Sequence, residues 1–281
     1  MTEGPFRLVI AGHDGSSGGR DALSLGALLA QPAGRVLAAA VFRNRHAADG
    51  ALIEGVAADA AAVGGDAEHP VARSAAAGLH DLAEELGADL LVLGSSRQAA
   101  DGRLLAGREA ERLLHGAPCA VAVAPCGCRA REQRLRVVGL GYDGSPEADV
   151  ALAGAISVAL AHEATMRIFT AVAPSPPAIQ EELRRATRDR LEQASRDAWE
   201  RAPDSLRAAA NVELGEPTAV LRDEAEKGVD LLAVGSRGFG PLQRVLSGSV
   251  ATSLMRDLAC PLLVFPRGVQ RPGRLERVGM P

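Results

Sequence analysis

Three glycines and a serine at fixed offsets, Gly235, Gly238, Gly248 and Ser249, are the residues of this chain best suited to chemistry. They lie in GSRGFGPLQRVLSGS (235–249), directly after the apolar run Asp230-Leu-Leu-Ala-Val234. Glycine permits positive φ and close approach, so main-chain N–H groups there can turn toward phosphate oxygens. Ser249 would open the next helix, where its hydroxyl and the free amides of Val250 and Ala251 meet the positive end of the helix dipole. Phosphate binding is therefore the expected chemistry. Arg237 and Arg244 are further candidate phosphate partners, weighed against plain solvation of exposed arginines.

The chain carries an altered copy of the same element, GSSRQAADGRLLAGR (94–108), after Asp89-Leu-Leu-Val-Leu93. At an offset of 141 residues, Gly238 becomes Arg97, Ser249 becomes Arg108 and Val250 becomes Glu109. A non-glycine residue in a left-handed conformation costs about 1–2 kcal/mol, so Arg97 calls for another loop path. Glu109, in a first helical turn, is expected to satisfy its own helix dipole and repel a phosphate. Arg97, Arg103 and Arg108 leave two readings open, a different anion pocket or a degenerate site kept for packing.

These loops need strands and helices to hold them, and the repeat supplies both. Cys119 and Cys260 keep the offset of 141, whereas LVIAGHDGS (8–16) and VVGLGYDGS (137–145) are offset by 129, so the halves differ in length near their middles. A period this long is one domain, not a solenoid turn. The apolar runs are short and continuous, as in parallel strands buried on both faces. In the second half they cover Leu135 to Leu140, Met166 to Val172, about Ala210 to Leu214, Asp230 to Val234 and Pro261 to Phe265. Helices are expected from Pro146 after a capping Ser145, over Ala178 to Arg201, and from Ser249 to about Leu258. The fold class is α/β: two tandem doubly wound domains, each a mainly parallel five-stranded sheet with helices on both faces. The expected boundaries are 5–126 and 135–267, with a linker at 127–134 and a tail at 268–281. In such sheets a ligand sits beyond the carboxyl ends of the strands at a switch point, the side on which the glycine loop leaves Val234.

Composition narrows the partners. A formal charge of −4 with five Phe, one Trp and one Tyr gives neither the cationic face nor the stacking rings of a nucleic-acid binder. No apolar stretch approaches the roughly 20 residues of a membrane span, and the start lacks signal-peptide order, so a soluble cytoplasmic protein is expected. Lys227 is the single lysine and the sole candidate for lysine chemistry. Cys119 and Cys260 read as small buried hydrophobes, and Cys126-Gly-Cys128 as a surface linker without metal spacing. Neither a Gly-x4-Gly-Lys-Ser/Thr loop nor a Ser/His/Asp set is present, and no catalytic residue or metal site is assigned. Ser17-Gly-Gly-Arg-Asp21 is similar to a pyrophosphate loop, but Ala22 stands where that motif needs serine. It is read as an ordinary helix start aligned with Ser145 to Asp149.

The ordered set of motifs resembles the universal stress protein family over nearly the whole chain. Its parts are Asp14-Gly-Ser16 and Asp143-Gly-Ser145 at the first strand ends, the Asp-Leu-Leu-x-x-Gly strands, the Gly-x-x-Gly-x9-Gly-Ser element and a closing strand after Cys260-Pro261. The resemblance implies a tandem member packed about a pseudo-twofold axis, as two subunits pack in single-domain relatives, with further homodimerisation open. It implies ATP as the ligand, with Mg2+ as a candidate companion ion. Asp143 matches the family's residue facing adenine and ribose, with Gly141 and Tyr142 leading into it, and Val172 matches the apolar residue against the base. The implied function is a nucleotide-dependent regulatory binder acting on an unidentified protein partner. A slow ATPase or phosphotransferase, or an interaction module without nucleotide, are the alternatives.

Overall fold

The computed structural model describes residues 5–44, 49–114, 116–128, 134–172, 206–236 and 250–266, together with the helical positions Arg185, Asp189 and Gln193. The expected helix from Ala178 to Arg201, the inner linker, the tail and loop residues 237–249 otherwise lie outside the described residues.

The first half runs β1 (Leu8–Gly12), α1 (Ser17–Leu29), β2 (Arg35–Ala39), α2 (Gly50–Ala62), β3 (Asp66–Glu68), α3 (Ala75–Leu86), β4 (Leu90–Gly94), α4 (Arg108–Leu114) and β5 (Ala120–Ala124). The second runs β6 (Val137–Gly141), α5 (Pro146–Ala161), β7 (Thr165–Val172), β8 (Ala208–Leu214), α6 (Pro217–Glu226), β9 (Leu231–Gly235), α7 (Val250–Leu254) and β10 (Leu262–Phe265). Serine caps start the helices that follow the first strands. Ser16 Oγ accepts from the Gly19 amide at 3.2 Å, and Ser145 Oγ accepts from the Ala148 amide at 3.2 Å, with Pro146 filling the first helical position.

All ten strands form one sheet, ordered β3-β2-β1-β4-β5-β10-β9-β6-β7-β8. Every pairing is parallel except β5 with β10, where Val121 to Val123 run against Leu262 to Val264. That antiparallel seam joins two copies of one strand order in opposite senses, the arrangement a pseudo-twofold axis requires. The two domains thus share a continuous sheet, a closer union than two separately closed units.

Alternation along each strand feeds two cores. On one face Val9, Leu90, Ala122, Leu140 and Leu263 pack beneath α1, α2 and α5; on the other Ile10, Leu91, Val121, Leu232 and Val264 pack beneath α3, α4, α6 and α7. The aspartates of the Asp-Leu-Leu strands fix the register. Asp89 Oδ2 accepts from the amides of Arg7 and Leu8 at 2.8 and 3.0 Å, and Asp230 Oδ2 accepts from those of Arg136 and Val137, both at 2.8 Å.

Three expectations change. The outermost strand β8 exposes Ala209, Ala210 and Asn211, because among the described residues it ends the sheet. Helix α7 stops at Leu254 and not near Leu258, since the carbonyls after it are taken by groups outside the helix. The cap of α1 is Ser16, so Asp21 falls opposite Val150 rather than Asp149. Buried Asp21 accepts from the Gly127 amide at 2.9 Å, a packing role that accounts for the segment without a pyrophosphate. Among the described residues no helix is long and apolar enough to cross a membrane.

Candidate functional site

The chain leaves β6 toward β7 on one side and returns through β9 on the other, so the switch point lies between β6 and β9. Gly141 pairs in register with Val234, which sets the end of β6 beside Gly235. Val172 ends β7 on the same carboxyl edge, three residues beyond the register partner of Gly141, Phe169. Gly235 sits hard against the first turn of α5: a Cβ there would lie 2.6 Å from the carbonyl carbon of Glu147. Val250 and Ala251 are the first described residues of α7, on the chain that follows the glycine loop. Arg237, Gly238, Arg244, Gly248 and Ser249 lie outside the described residues. The structure thus brings Gly141, Tyr142, Asp143, Val172 and Gly235 to one edge.

Tyr142 and Asp143 divide their tasks. The Tyr142 ring is buried, its hydroxyl donates to Asp149 Oδ1 at 2.8 Å, and its carbonyl accepts from Thr170 Oγ1 at 2.9 Å. Its side chain serves packing. Asp143 is exposed at the strand end, with Oδ1 accepting from the Ser145 amide at 3.0 Å. Thr170 and Asp149 had no motif to announce them, since their roles depend on which side chain lies across the sheet end.

The first domain repeats this layout and fills it from within. Asp14 Oδ1 accepts from both the amide and hydroxyl of Ser16, and Arg97 Nη2 lies 3.7 Å from Asp14 Oδ2. Burial alone would raise the Asp14 carboxyl, but the Ser16 hydrogen bonds and Arg97 outweigh it and hold it below its usual value. Arg97 takes no left-handed conformation; in this loop positive φ passes to Gly102, at 75°. A cleft of about 670 Å³ remains beside Asp14, Ser16, Arg20, Asp59 and Arg97. Arg20 Nη1 donates to the Gly15 carbonyl at 3.0 Å and lies 3.6 Å from Asp59.

The alternative pocket of three arginines does not assemble. Arg103 points into the second domain, where it pairs with Glu226 and Asp257. Both carboxylates raise its pKa, the Glu226 hydrogen bond most. Glu109 stands in the first turn of α4, as expected, and its Oε2 also accepts from the Ala76 amide at 2.9 Å, so it serves the first turn of α3 as well. Lys227 ends α6 with Nζ 2.7 Å from Glu224 Oε1, tied to a structural carboxylate. Cys119 and Cys260 are buried, and burial pushes the Cys119 thiol up to about 12, which keeps it unreactive. Cys126 and Cys128 are half-buried, so the expected surface linker is packed where it leaves β5.

Sequence comparison matches the universal stress protein family model to residues 5–125 and again to 135–266. A universal stress protein of Mycobacterium tuberculosis is 30% identical over 207 residues, covering 70% of this chain and 71% of that protein. Among solved structures, one described as a putative universal stress protein from Pseudomonas aeruginosa superposes with a TM-score of 0.71 at 17% identity, covering 93% of each chain. A universal stress protein from Archaeoglobus fulgidus gives 0.59 at 17% identity, with 94% and 97% covered, and likewise shares the fold. With both halves matched by the family model and joined through the β5–β10 seam, the chain belongs to the universal stress protein family as a tandem two-domain member.

Proposed function

We propose that this protein is a cytoplasmic, nucleotide-dependent regulator that holds one adenine nucleotide, ATP, in its second domain. The observation that carries this is the unequal fate of two equivalent strand ends. Asp143 precedes a half that keeps the unaltered Gly-x-x-Gly-x9-Gly-Ser segment, whereas in the first half Arg97 replaces the second glycine and lies 3.7 Å from Asp14. In the second domain the ATP phosphates, with Mg2+ as counter-ion, lie against Gly235, Gly238, Gly248 and Ser249. The amides of Val250 and Ala251 and the side chain of Arg237 add donors. Gly141, Tyr142 through its backbone, and Asp143 meet the ribose and adenine, and Val172 lies against the base. The chemistry of these donors suits a polyphosphate, since main-chain amides and a helix start supply partial positive charge without a P-loop lysine. Their role is to bind and orient; occupancy then changes the surface offered to a protein partner.

The test is thermal unfolding with and without ATP. Ligand at about 100 times its Kd stabilises the folded state by about 2.7 kcal/mol. That shift is expected in the intact chain and absent in Gly238→Arg and Ser249→Arg, each of which installs the first domain's residue in the second. An intact chain with no ATP-dependent shift rejects the proposal.

A further inference from the structure

Two thiols one residue apart stand where the chain leaves the first domain, and the nucleotide site makes no use of them. Cys126 and Cys128 flank Gly127 just past β5, and both are half-buried, unlike the buried Cys119 and Cys260. The Cys128 amide donates to the Pro125 carbonyl at 3.3 Å, closing a turn, and Gly127 takes the left-handed conformation at φ 73°. A side chain at Gly127 is refused twice, by that φ and by Asp101 Oδ1, which fills the space a Cβ would take. Consecutive Cα atoms are about 3.8 Å apart, so the bend at Gly127 holds those of Cys126 and Cys128 within the roughly 4.4–6.8 Å that a disulfide spans.

The main chain of this turn is fixed from several sides. The Cys126 amide donates to the Arg103 carbonyl at 3.0 Å, and the Cys126 carbonyl accepts from the Gly102 amide at 2.9 Å. The Gly127 amide donates to buried Asp21 at 2.9 Å. Closing a ring here orders little that is not already ordered, and ordering is the main cost of joining two points on a flexible chain.

Access comes from a cleft of about 440 Å³ beside Cys128, walled by Leu25, Leu28, Pro125 and Pro261. Arg134, largely exposed and also paired with Glu163, adds a guanidinium to the lining, a partner for the carboxylate of a small ligand. Cys260 borders the same cleft, but it belongs to the core on the opposite face of the sheet from the one Cys128 packs against.

We propose that Cys126 and Cys128 form a reversible dithiol site, closed to a disulfide by exchange with a low-molecular-weight disulfide admitted through this cleft. The Cys128 thiolate attacks one sulfur of the incoming disulfide, whose S–S bond breaks and releases one small thiolate. The Cys126 thiolate then attacks the Cys128 sulfur of the mixed disulfide, forming the Cys126–Cys128 bond and expelling the second small thiolate. Two protein thiols are oxidised, the external disulfide is reduced to two thiols, and the two protons pass from the former to the latter. A transient, accessible disulfide of this kind suits a reducing compartment, where such bonds act as sensors.

The test exposes the reduced full-length chain, without ATP, to oxidised glutathione, alkylates the remaining thiols under denaturing conditions and maps the peptides by mass. In the parent, Cys126 and Cys128 should escape alkylation as an internal disulfide that dithiothreitol reopens, while Cys119 and Cys260 stay thiols. Cys126→Ser should stop at the glutathione adduct on Cys128, which isolates the first step. Cys128→Ser should take up glutathione at Cys126 about tenfold more slowly, because exchange follows access. A Cys128–Cys260 link, a disulfide between chains, or alkylation of both thiols after glutathione overturns the inference. So does a parent that keeps its glutathione adduct without forming the internal bond, or a Cys128→Ser chain that reacts as fast as Cys126→Ser.

Discussion

Gly94 and Gly235 occupy the same place in the two halves, yet the residues after them have parted: one loop keeps Gly238, Gly248 and Ser249, while the other has Arg97, Gly107 and Arg108. Both loops retain the pair Gly107 and Gly248 as well, but the first glycine, Gly94 or Gly235, is the one that the fold itself requires. A Cβ at Gly94 would lie 1.9 Å from the carbonyl oxygen of Gly18 in α1, matching the crowding of Gly235 against Glu147 in α5. The pair Gly94 and Gly235 holds strand against helix, whereas the positions that change, Gly238 to Arg97 and Ser249 to Arg108, are those the nucleotide reading assigns to a ligand. The first glycine of the motif is thus poor evidence for a nucleotide, and the second glycine and the serine carry the signal.

The comparison breaks most visibly at that shared glycine. Gly94→Ala and Gly235→Ala each drive a methyl group into main chain that cannot rotate away, and overpacking of this kind costs about 3 kcal/mol. Both variants should lower the denaturant midpoint by similar amounts, although the first half is read as holding no nucleotide. If Gly235→Ala alone proves costly, the glycine in the first half is dispensable and the packing account is wrong. A Gly235 variant is also a poor probe of nucleotide binding, because it disturbs the α5 start as well.

The order of strands and helices was legible because each buried strand reads as an uninterrupted apolar run and the caps of α1 and α5 as a serine before a helix. The sharing of one sheet was not. It depends on β5 and β10 meeting edge to edge, and both are apolar runs like any other. The destinations of charged side chains were equally hidden. Arg103, Glu109 and Asp21 find partners 154, 33 and 106 residues away in sequence, at Asp257, Ala76 and Gly127. Spacing along the chain reports local structure and says little about which long side chain reaches across an interface. Of the candidate site, Asp143 was readable from its repeat with Asp14, but the burial of Tyr142 depended on Asp149 and Thr170 lying near it in space.

Tyr142 sharpens the comparison between backbone and side chain at one strand end. Tyr142→Phe removes the donation to Asp149 and should cost about 1 kcal/mol of folding stability. Nucleotide affinity should stay as in the parent, since the ring points into the core. A tenfold weaker ATP affinity with unaltered stability would put the hydroxyl in the site and reverse that assignment.

His13 stands in the first domain where Tyr142 stands in the second, and there the two halves should differ in their response to acid. Its ring is buried, Nδ1 accepts from the Gly15 amide at 3.1 Å, and Nε2 lies 3.1 Å from Asp59 Oδ2. Burial lowers its pKa from the ordinary value, against the opposing pull of Asp59 and Asp14. Protonation at Nδ1 would also turn the acceptor for Gly15 into a second donor facing an N–H. The unfolded chain takes up this proton near pH 6.5 and the folded chain at lower pH, so stability is complete above pH 6.5 and falls as pH drops toward the folded value. His162, buried where α5 ends and lowered in the same direction chiefly by burial, adds to that slope. Thermal midpoints recorded between about pH 7.5 and 5.5 should therefore fall in the parent, less steeply in His13→Gln, and least in the variant lacking both histidines. Equal slopes for the parent and His13→Gln would show that the first strand end of this domain is as indifferent to acid as its tyrosine-bearing counterpart.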